Sequence, residues 1–542
     1  MKIQNLNGIW QFAYSETKPE NPVFDSFIGV PGCFDVTPSR SGVRAYGCFK
    51  REINCTGKAM LTIEGAGLHY EVFIDGKSIG KSILPYSKEE FFFDGGSNAK
   101  HELMVMVDNK IYKDDLGETY KVYYDFYGFG GIYSDVYLTE YDDDDIRRIE
   151  VIPQDISKGT ALIRIETFGS SPAELAVSFD GGEICKRPFA NEFTVEVPDC
   201  KLWSPETPNL HTVTINGVTA EFGMRTLSWC GKDLLLNGKV LKLVGCNRHE
   251  SHPAFGAAVP ESLIADDLRM IKEQGFNFIR GAHYPQKETA LRLCDRMGLL
   301  VWEEALGWGN RKEHLADPAF GDNQAEQCRK MVRKSINHPS VIIWGFLNEA
   351  HSEQPEAQVL LKRLYDTIKE LDTSRPVSFA CNRPKSDTCL QFMDIYTINI
   401  YPGWYDITEE LSPRDSIKCV KKYIDMWGEK YNDKPLIIGE IGSAALYGDH
   451  SGYRWSEEYQ ADHLEEVLKC VMGNPAYTGV AIWLFADAKS YLETEHFFSR
   501  PRGYNNKGML NEYRLPKISW HRTREFIRKF NESGSNTVSG EK

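Results

Sequence analysis

Short segments in which apolar and polar residues alternate fill the first part of the chain, among them AMLTIEGAG (59–67), YEVFIDGKSIG (70–80) and HELMVMVD (101–108), set apart by Gly, Asp and Asn turns. A period of two bounded by turn residues predicts antiparallel strands buried on one face, and so many of them predict a β jelly-roll sandwich over residues 1–142. The acidic run Asp142–Asp145 marks a boundary and reads as a solvated linker rather than a metal site. Alternation then resumes in ALIRIETFG (161–169), ELAVSFDGG (174–182), FTVEVPD (193–199) and HTVTING (211–217). The length of this stretch, 143–226, suits an immunoglobulin-like β-sandwich, although the Cys–Trp–Cys spacing of antibody domains is absent.

Beyond DLLLNGKVLKLVG (233–245) the rhythm changes. Near-continuous apolar runs now alternate with amphipathic ones: LKLVGCN (241–247), FNFIRGAH (276–283), LLVWEEA (299–305), VIIWGFLNE (341–349), VSFACN (377–382), MDIYTINIY (393–401), PLIIGEIG (435–442) and GVAIWLFAD (479–487). Strands covered on both faces lose their alternation, and eight of them close a parallel barrel. The intervening segments carry helical faces, as in Ile264, Leu268 and Ile271 or Leu464, Leu468 and Val471. A C-terminal (β/α)8 TIM barrel over residues 227–542 is therefore expected. An open doubly wound sheet would alternate in the same way, but no Gly-rich phosphate fingerprint follows the first strand.

Composition narrows the function. A formal net charge of −14 argues against a nucleic-acid binder, which needs clustered cations to displace counterions. No stretch approaches the length of a membrane span, and the N-terminus lacks the pattern of a secretory signal. Thirteen cysteines at irregular spacing, without a CxxC pair, read as reduced thiols, so a cytoplasmic location is expected. No cofactor is expected.

In a parallel barrel the polar residues ending the strands share one rim, where catalysis takes place. Two of them stand out. Glu349 closes VIIWGFLNE and Glu440 falls in PLIIGE, each a carboxylate at the end of an apolar run. Poor solvation and mutual repulsion push one such pKa up, leaving one proton donor and one carboxylate, which is the pair that glycoside hydrolysis uses. Trp483 offers a ring to stack on a sugar face, and Asn399 and Tyr401, two residues apart, point the same way. NRHESHP (247–253) lacks the HExxH spacing of a zinc helix and is read as polar contacts, so no metal is expected. No GxSxG elbow supports serine chemistry.

Several longer motifs carry a family resemblance. NFIRGAHYP, CDRMGLLVWEE, HPSVIIWGFLNEA and LLLNGKVLKLVGCNRHE resemble the barrel of glycoside hydrolase family 2. LNGIWQF and VPGCFD resemble that family's N-terminal sugar-binding jelly roll, and LWSPETPNL and FGMRTLSW its middle sandwich. The resemblance implies a retaining mechanism with Glu349 as acid/base, Glu440 as nucleophile, and the two carboxyls about 5–5.5 Å apart. It further implies that Asn348 holds the sugar 2-hydroxyl and that Asp125, His283, Asn399, Tyr401, Tyr405 and Trp483 complete the pocket.

SRPRGYNNKGML (499–510) gathers cations and amides without helical or strand periodicity. Its Asn505 and Lys507 resemble the Asn-x-Lys motif of the family's β-glucuronidase branch, which grips the sugar carboxylate, and Arg500 or Arg502 is expected to assist. An ammonium fixed over the rim forms a charge-assisted hydrogen bond to a uronate and is left underpaired by a neutral hexose. The expected activity is exo-acting hydrolysis of β-D-glucuronides by a homo-oligomer. The β-galactosidase branch and a non-catalytic carbohydrate-binding protein are the alternatives. No long insertion follows VWEEALGWGNRKEH, so the mouth is either open to polymeric substrates or covered by a neighbouring subunit.

Overall fold

The structure is a computed structural model that describes residues 1–97, 99–405, 413–490 and 499–537. Three bodies of structure follow one another along the chain. The first is a sandwich of a four-stranded sheet (Lys2–Asn5, Lys58–Ile63, Glu89–Asp94, Val136–Glu140) against a six-stranded one that includes Gly8–Ser15, Tyr46–Asn54 and Lys100–Asp108. Their alternating residues Trp10, Phe12, Phe49, Leu61, Val105 and Leu138 meet in one core. The second packs a three-stranded sheet (Ile146–Asp155, Thr160–Thr167, Glu192–Glu196) over a four-stranded one (Glu174–Phe179, Cys185–Pro188, His211–Ile215, Val218–Phe222). Between the two sandwiches the acidic run is a turn with Asp142, Asp143 and Asp144 exposed; Asp143 pairs with Lys58 and Asp145 with the N-terminal ammonium.

The third body is the barrel. Its strands are β1 (Leu243–Arg248), β2 (Phe278–Gly281), β3 (Leu300–Glu304), β4 (Val341–Gly345), β5 (Val377–Ser378), β6 (Tyr396–Asn399), β7 (Leu436–Ile441) and β8 (Gly479–Ile482). All are parallel and pair in the order β5-β4-β3-β2-β1-β8-β7-β6. A bridge from Cys381 to Ile398 joins β5 to β6 and closes the ring. All eight expected runs are strands, and the closed ring sets aside the open sheet.

Around them run α1 (Glu261–Glu273), α2 (Glu288–Met297), α3 (Pro318–Ser335), α4 (Pro355–Leu371), α5 (Pro413–Lys430), α6 (Glu457–Val471) and α7 (Ile518–Thr537). Ile264, Leu268 and Ile271 of α1 and Leu464, Leu468 and Val471 of α6 are buried against the strands, as their spacing predicts. Inside the ring, Leu243, Phe278, Leu300, Trp302, Ile343 and Ile437 fill the lower half, and Trp203, Leu234 and Leu236 close its floor. Polar side chains are thereby confined to the opposite, C-terminal rim. All thirteen cysteines are free thiols.

The first sandwich reaches that rim through residues 117–133. Their rings form an aromatic cluster with Tyr284 and Leu306 of the barrel, in which Tyr86 stacks on Tyr284 with centroids 3.9 Å apart. The cluster delivers Asp125 to the barrel mouth.

Strand packing at the base is tight enough to exclude a methyl group. A Cβ on Gly245 of β1 would lie 1.7 Å from the Phe278 carbonyl oxygen of β2. Backbone cannot yield as a side-chain tip does, so Gly245→Ala is expected to destabilise the barrel by about 3 kcal/mol or more. Differential scanning calorimetry should show a thermal midpoint at least ~5 °C lower; an unchanged midpoint would contradict this packing.

Candidate active site

One arginine organises the barrel mouth. Arg280 of β2 is fully buried above the Trp302 ring, 4.7 Å from its centroid. Its Nε and Nη2 donate to the two oxygens of Glu304 at 2.7 and 2.9 Å. Nη1 donates to Glu440 Oε1 at 2.7 Å and to Asn247 Oδ1 at 2.9 Å, and Nη2 also reaches Asn348 Oδ1 at 2.8 Å. Burial works against its charge, but Glu304 and Glu440 outweigh that and raise its pKa. Asn247 in turn donates to the carbonyls of Gly439, Ala481 and Ile482, tying β1 to β7 and β8.

Glu440, in β7, accepts from Arg280 on one oxygen and from the Tyr401 hydroxyl, at 2.6 Å, on the other. Asn348 and Glu349 follow β4, between backbone turns with φ of 46° at Leu347 and 55° at Glu349. Such left-handed conformations are unfavourable for side-chain-bearing residues and are held by surrounding contacts. Here the Glu349 amide donates to the Ala380 carbonyl at 2.8 Å. The Glu349 carboxyl accepts from Asn399 Nδ2 on one oxygen and Asn382 Nδ2 on the other, each at 2.9 Å. Asn399 Nδ2 also reaches Asn348 Oδ1 at 3.0 Å, so both carboxylates belong to one hydrogen-bonded cluster.

The two carboxylates are unequal. Burial and then the charge of Glu440 push the Glu349 pKa up to about 8. Arg280 donates to the Glu440 carboxylate and not to that of Glu349, and Arg383, the other cation nearby, donates to the Glu349 backbone carbonyl at 2.9 Å rather than to its carboxyl. A proton is thus retained on Glu349 at neutral pH while two donors address Glu440, the division of labour that general acid catalysis beside a nucleophilic or stabilising carboxylate requires.

His283 is buried behind Glu440, stacked on Trp483 with centroids 4.9 Å apart. Burial and then Arg280 lower its pKa to about 3, so it is neutral. An arginine can only donate, so the 3.3 Å contact from Arg280 Nη2 makes His283 Nδ1 the acceptor. The ring proton is then on Nε2, 3.9 Å from Glu440 Oε1.

Above the cluster opens a cavity of about 520 Å³. Glu349, Glu440, Asn399, Tyr401 and Trp483 line its floor; Asp125, Tyr405, Arg500, Asn505 and Lys507 line one wall. Arg500 binds Asp125 through Nε at 2.7 and 3.0 Å and through Nη2, and Asn505 Nδ2 donates to the same carboxylate at 3.0 Å. Lys507 is only 1% exposed; its Nζ donates to the Tyr405 hydroxyl at 2.8 Å and forms no ion pair among the described residues. Burial, and then Arg500, lower its pKa. Burial alone would raise the Tyr405 pKa, but Lys507 and Arg500 prevail and lower it.

Three expected residues are placed differently from the rest. His283 and Asn348 lie one layer behind the lining, against Glu440 and Glu349. Arg502 is away from it: at a φ of 62° its side chain turns to Glu512, with a 2.7 Å ion pair, so of the two it is Arg500 that lines the cavity. Sequence reasoning missed Arg280, whose signal was a charged residue inside the apolar run FNFIRGAH, and Asn382, the polar end of VSFACN. It also missed Trp308, Arg383 and Trp427, which line the cavity too. Residues of NRHESHP are occupied otherwise, since Arg248 pairs with Asp267 at 3.0 Å and Glu250 at 3.3 Å.

Residues 229–532 match the model of the Glycosyl hydrolases family 2, TIM barrel domain. The chain belongs to this family. A β-glucuronidase of Mus musculus is 30% identical over 461 residues, covering 78% of this chain and 69% of the relative. Among solved structures, a family 2 β-galacturonidase from Eisenbergiella tayi is 32% identical with a TM-score of 0.88, over 97% of this chain and 96% of the other. A β-glucuronidase from Dictyoglomus thermophilum is 25% identical with a TM-score of 0.86, over 97% of both chains. The protein is a family 2 glycoside hydrolase, built as the sandwiches and barrel of that family.

The raised Glu349 pKa has a thermodynamic sign. In the unfolded chain this carboxyl loses its proton near its ordinary value of 4.5, whereas the folded protein keeps it to about 8. The folded state binds more protons across that window, so the contribution of Glu349 is fully present below pH 4.5 and is lost as pH rises through about 8. Glu349→Gln should therefore raise the thermal midpoint at pH 8.5 relative to the unmodified protein, and change it little at pH 4.5. Equal midpoints at both pH values would contradict the assignment.

Proposed function

We propose that the protein is a retaining β-glucuronidase. The observation that carries this reading is Lys507, a buried ammonium in the cavity wall with a phenol, and no carboxylate among the described residues, bonded to it. Burying a cation without a counterion costs several kcal/mol, and a uronate carboxylate supplies the missing partner, with Asn505 and Tyr405 beside it. A neutral hexose would leave the cation unpaired.

With the uronate so anchored, the anomeric carbon lies over the two glutamates. Glu349 gives its proton to the glycosidic oxygen as the bond to C1 breaks, and Glu440 attacks C1 from the opposite face to form a glycosyl ester. Glu349, now a carboxylate, takes a proton from water, whose oxygen displaces Glu440 and retains the β configuration. Buried Asn348 Nδ2 has no hydrogen-bond partner among the described residues; a sugar 2-hydroxyl would satisfy it. The first sandwich contributes Asp125 to the pocket, and the thirteen free thiols support a cytoplasmic site of action.

A second reading, that β-galacturonides are the better substrates, is favoured by the higher identity to the Eisenbergiella tayi enzyme than to the Dictyoglomus thermophilum one. Both uronides carry the same carboxylate, so Lys507 does not separate them. The C4 epimers do.

Chromogenic p-nitrophenyl β-glycosides test both readings. The expected kcat/KM for the glucuronide exceeds those for the galactoside and the glucoside by about a thousandfold or more and exceeds that for the galacturonide; neutral substrates cleaved as well as the glucuronide would end the proposal. Removing one member of a buried charged pair costs roughly 2–5 kcal/mol, so Lys507→Ala should lower the glucuronide kcat/KM by at least ~30-fold and narrow its lead over the glucoside. For the mechanism, mass spectrometry after treatment with a 2-fluoro glucuronide should locate the adduct on Glu440; labelling of another residue would refute the assignment.

A further inference from the structure

The loop that carries Lys507 is gripped from behind by a second, fully buried ion pair. Lys517, just before α7, donates through Nζ to Asp487 Oδ1, just beyond β8, at 2.8 Å, and both side chains are 0% exposed. The same oxygen accepts the Gly508 amide at 2.9 Å, while Asp487 Oδ2 accepts Asn506 Nδ2 at 3.3 Å. Lys517 Nζ also donates to the carbonyls of Asn506 at 3.1 Å and Ala445 at 2.8 Å. Both residues adjoining Lys507 are therefore tied to the pair.

Lys507 itself is secured at its carbonyl, which accepts the Leu484 amide at 3.0 Å and Gln460 Nε2 at 3.3 Å. The fit leaves no slack at Gly508, where a Cβ would come within 2.2 Å of the Asp487 amide nitrogen and 2.3 Å of the Leu510 carbonyl. Neither Asp487 nor Lys517 is among the residues lining the cavity.

Stability alone is a poor explanation for this arrangement. Desolvating two charges costs several kcal/mol each, and well-packed apolar residues at such sites are often as stable or more so. A charged pair that bonds the backbone on both sides of a ligand-binding lysine does something an apolar pair cannot: it fixes where that lysine's stem begins. An ammonium discriminates between a carboxylate and a hydroxymethyl group only when its position is held to within about 0.5 Å.

We propose that Asp487 and Lys517 are positioning residues that set the preference for uronides over neutral glycosides by holding the 505–508 loop, without touching substrate. The proposal rests on the uronidase reading above. Lys517→Met keeps the length of the side chain and removes its charge. Asp487→Asn is milder, because its amide keeps an acceptor for Lys517 and Gly508.

For Lys517→Met, KM for p-nitrophenyl β-glucuronide is expected to rise at least tenfold with kcat within about threefold of the unmodified enzyme. kcat/KM for the neutral p-nitrophenyl β-glucoside should change less than about threefold, so the uronide-to-glucoside ratio falls. Asp487→Asn should move the ratio in the same direction by less. A ratio unchanged in both variants, or equal losses on both substrates, would overturn the proposal. So would failure of both variants to fold by circular dichroism, which would assign the pair to barrel stability. An unmodified enzyme without a uronide preference would instead refute the functional reading, which separates the two failures.

Discussion

The Arg280 guanidinium is the constraint on which the site depends. Its donors reach side chains from four barrel strands or their ends: Asn247 on β1, Glu304 on β3, Asn348 after β4 and Glu440 on β7. A planar fork with fixed donor directions holds several acceptors in one geometry, which a lysine's single ammonium could not do. The position of the Glu440 carboxylate and the orientation of Asn348 beside Glu349 thus follow from a single side chain. Being buried, the arginine cannot exchange these partners for water, and loss of Glu440 or Asn247, the two acceptors of Nη1, would leave a donor unpaired. Rigidity at the mouth arises from that penalty as much as from barrel packing.

Arg280 also explains why two like-charged groups serve unlike ends. Its cation lies against Glu440, while the Glu349 carboxyl accepts from the neutral amides of Asn382 and Asn399, with Arg383 donating to the backbone carbonyl instead. Amide donors weigh less against desolvation than a guanidinium does, so the proton settles on Glu349. Neutral His283, with its Nδ1 taken up by Arg280, adds no second positive charge that would draw that proton away.

Legibility in the sequence followed the range of the interactions. The barrel was readable because burial on both faces makes a strand continuously apolar, a local property, and all eight runs proved to be strands. The glutamates were readable because they end such runs. What fixes them was not, since Arg280 sits inside an apolar run where a charge can equally mark a strand's solvent edge. The choice between Arg500 and Arg502 turned on a left-handed residue in a tight turn and on Asp125, 375 positions away from Arg500. Lys517 left no mark at all, being an ordinary charged residue until the fold removes its water, and Asp487 could be read only as the polar end of GVAIWLFAD, with no hint of its partner. The acidic run at 142–145 was legible as an exposed connection, but its ion pairs with Lys58 and the N-terminal ammonium were not, because both partners lie far from it in sequence.

The overall charge of −14 gives this local arrangement its point. An anionic substrate is not drawn in by the field of the molecule, so selectivity for one has to come from contacts at close range. A surface lysine would serve poorly, because water and salt weaken an exposed pair to about 1 kcal/mol or less. Sinking Lys507 into the wall of the cavity raises the strength of its attraction to a carboxylate and, by the same desolvation, depresses its own pKa. Tyr405 tempers that second effect without competing as a full counterion would, since a neutral phenol accepts one hydrogen bond and leaves the charge unneutralised. Asp125 beside it is held by Arg500, Asn505 and Ser490, and so is diverted from cancelling the lysine. The wall thus keeps one cation buried with no ion-pair partner among the described residues, and a ligand that brings its own negative charge would offset the energetic cost of doing so.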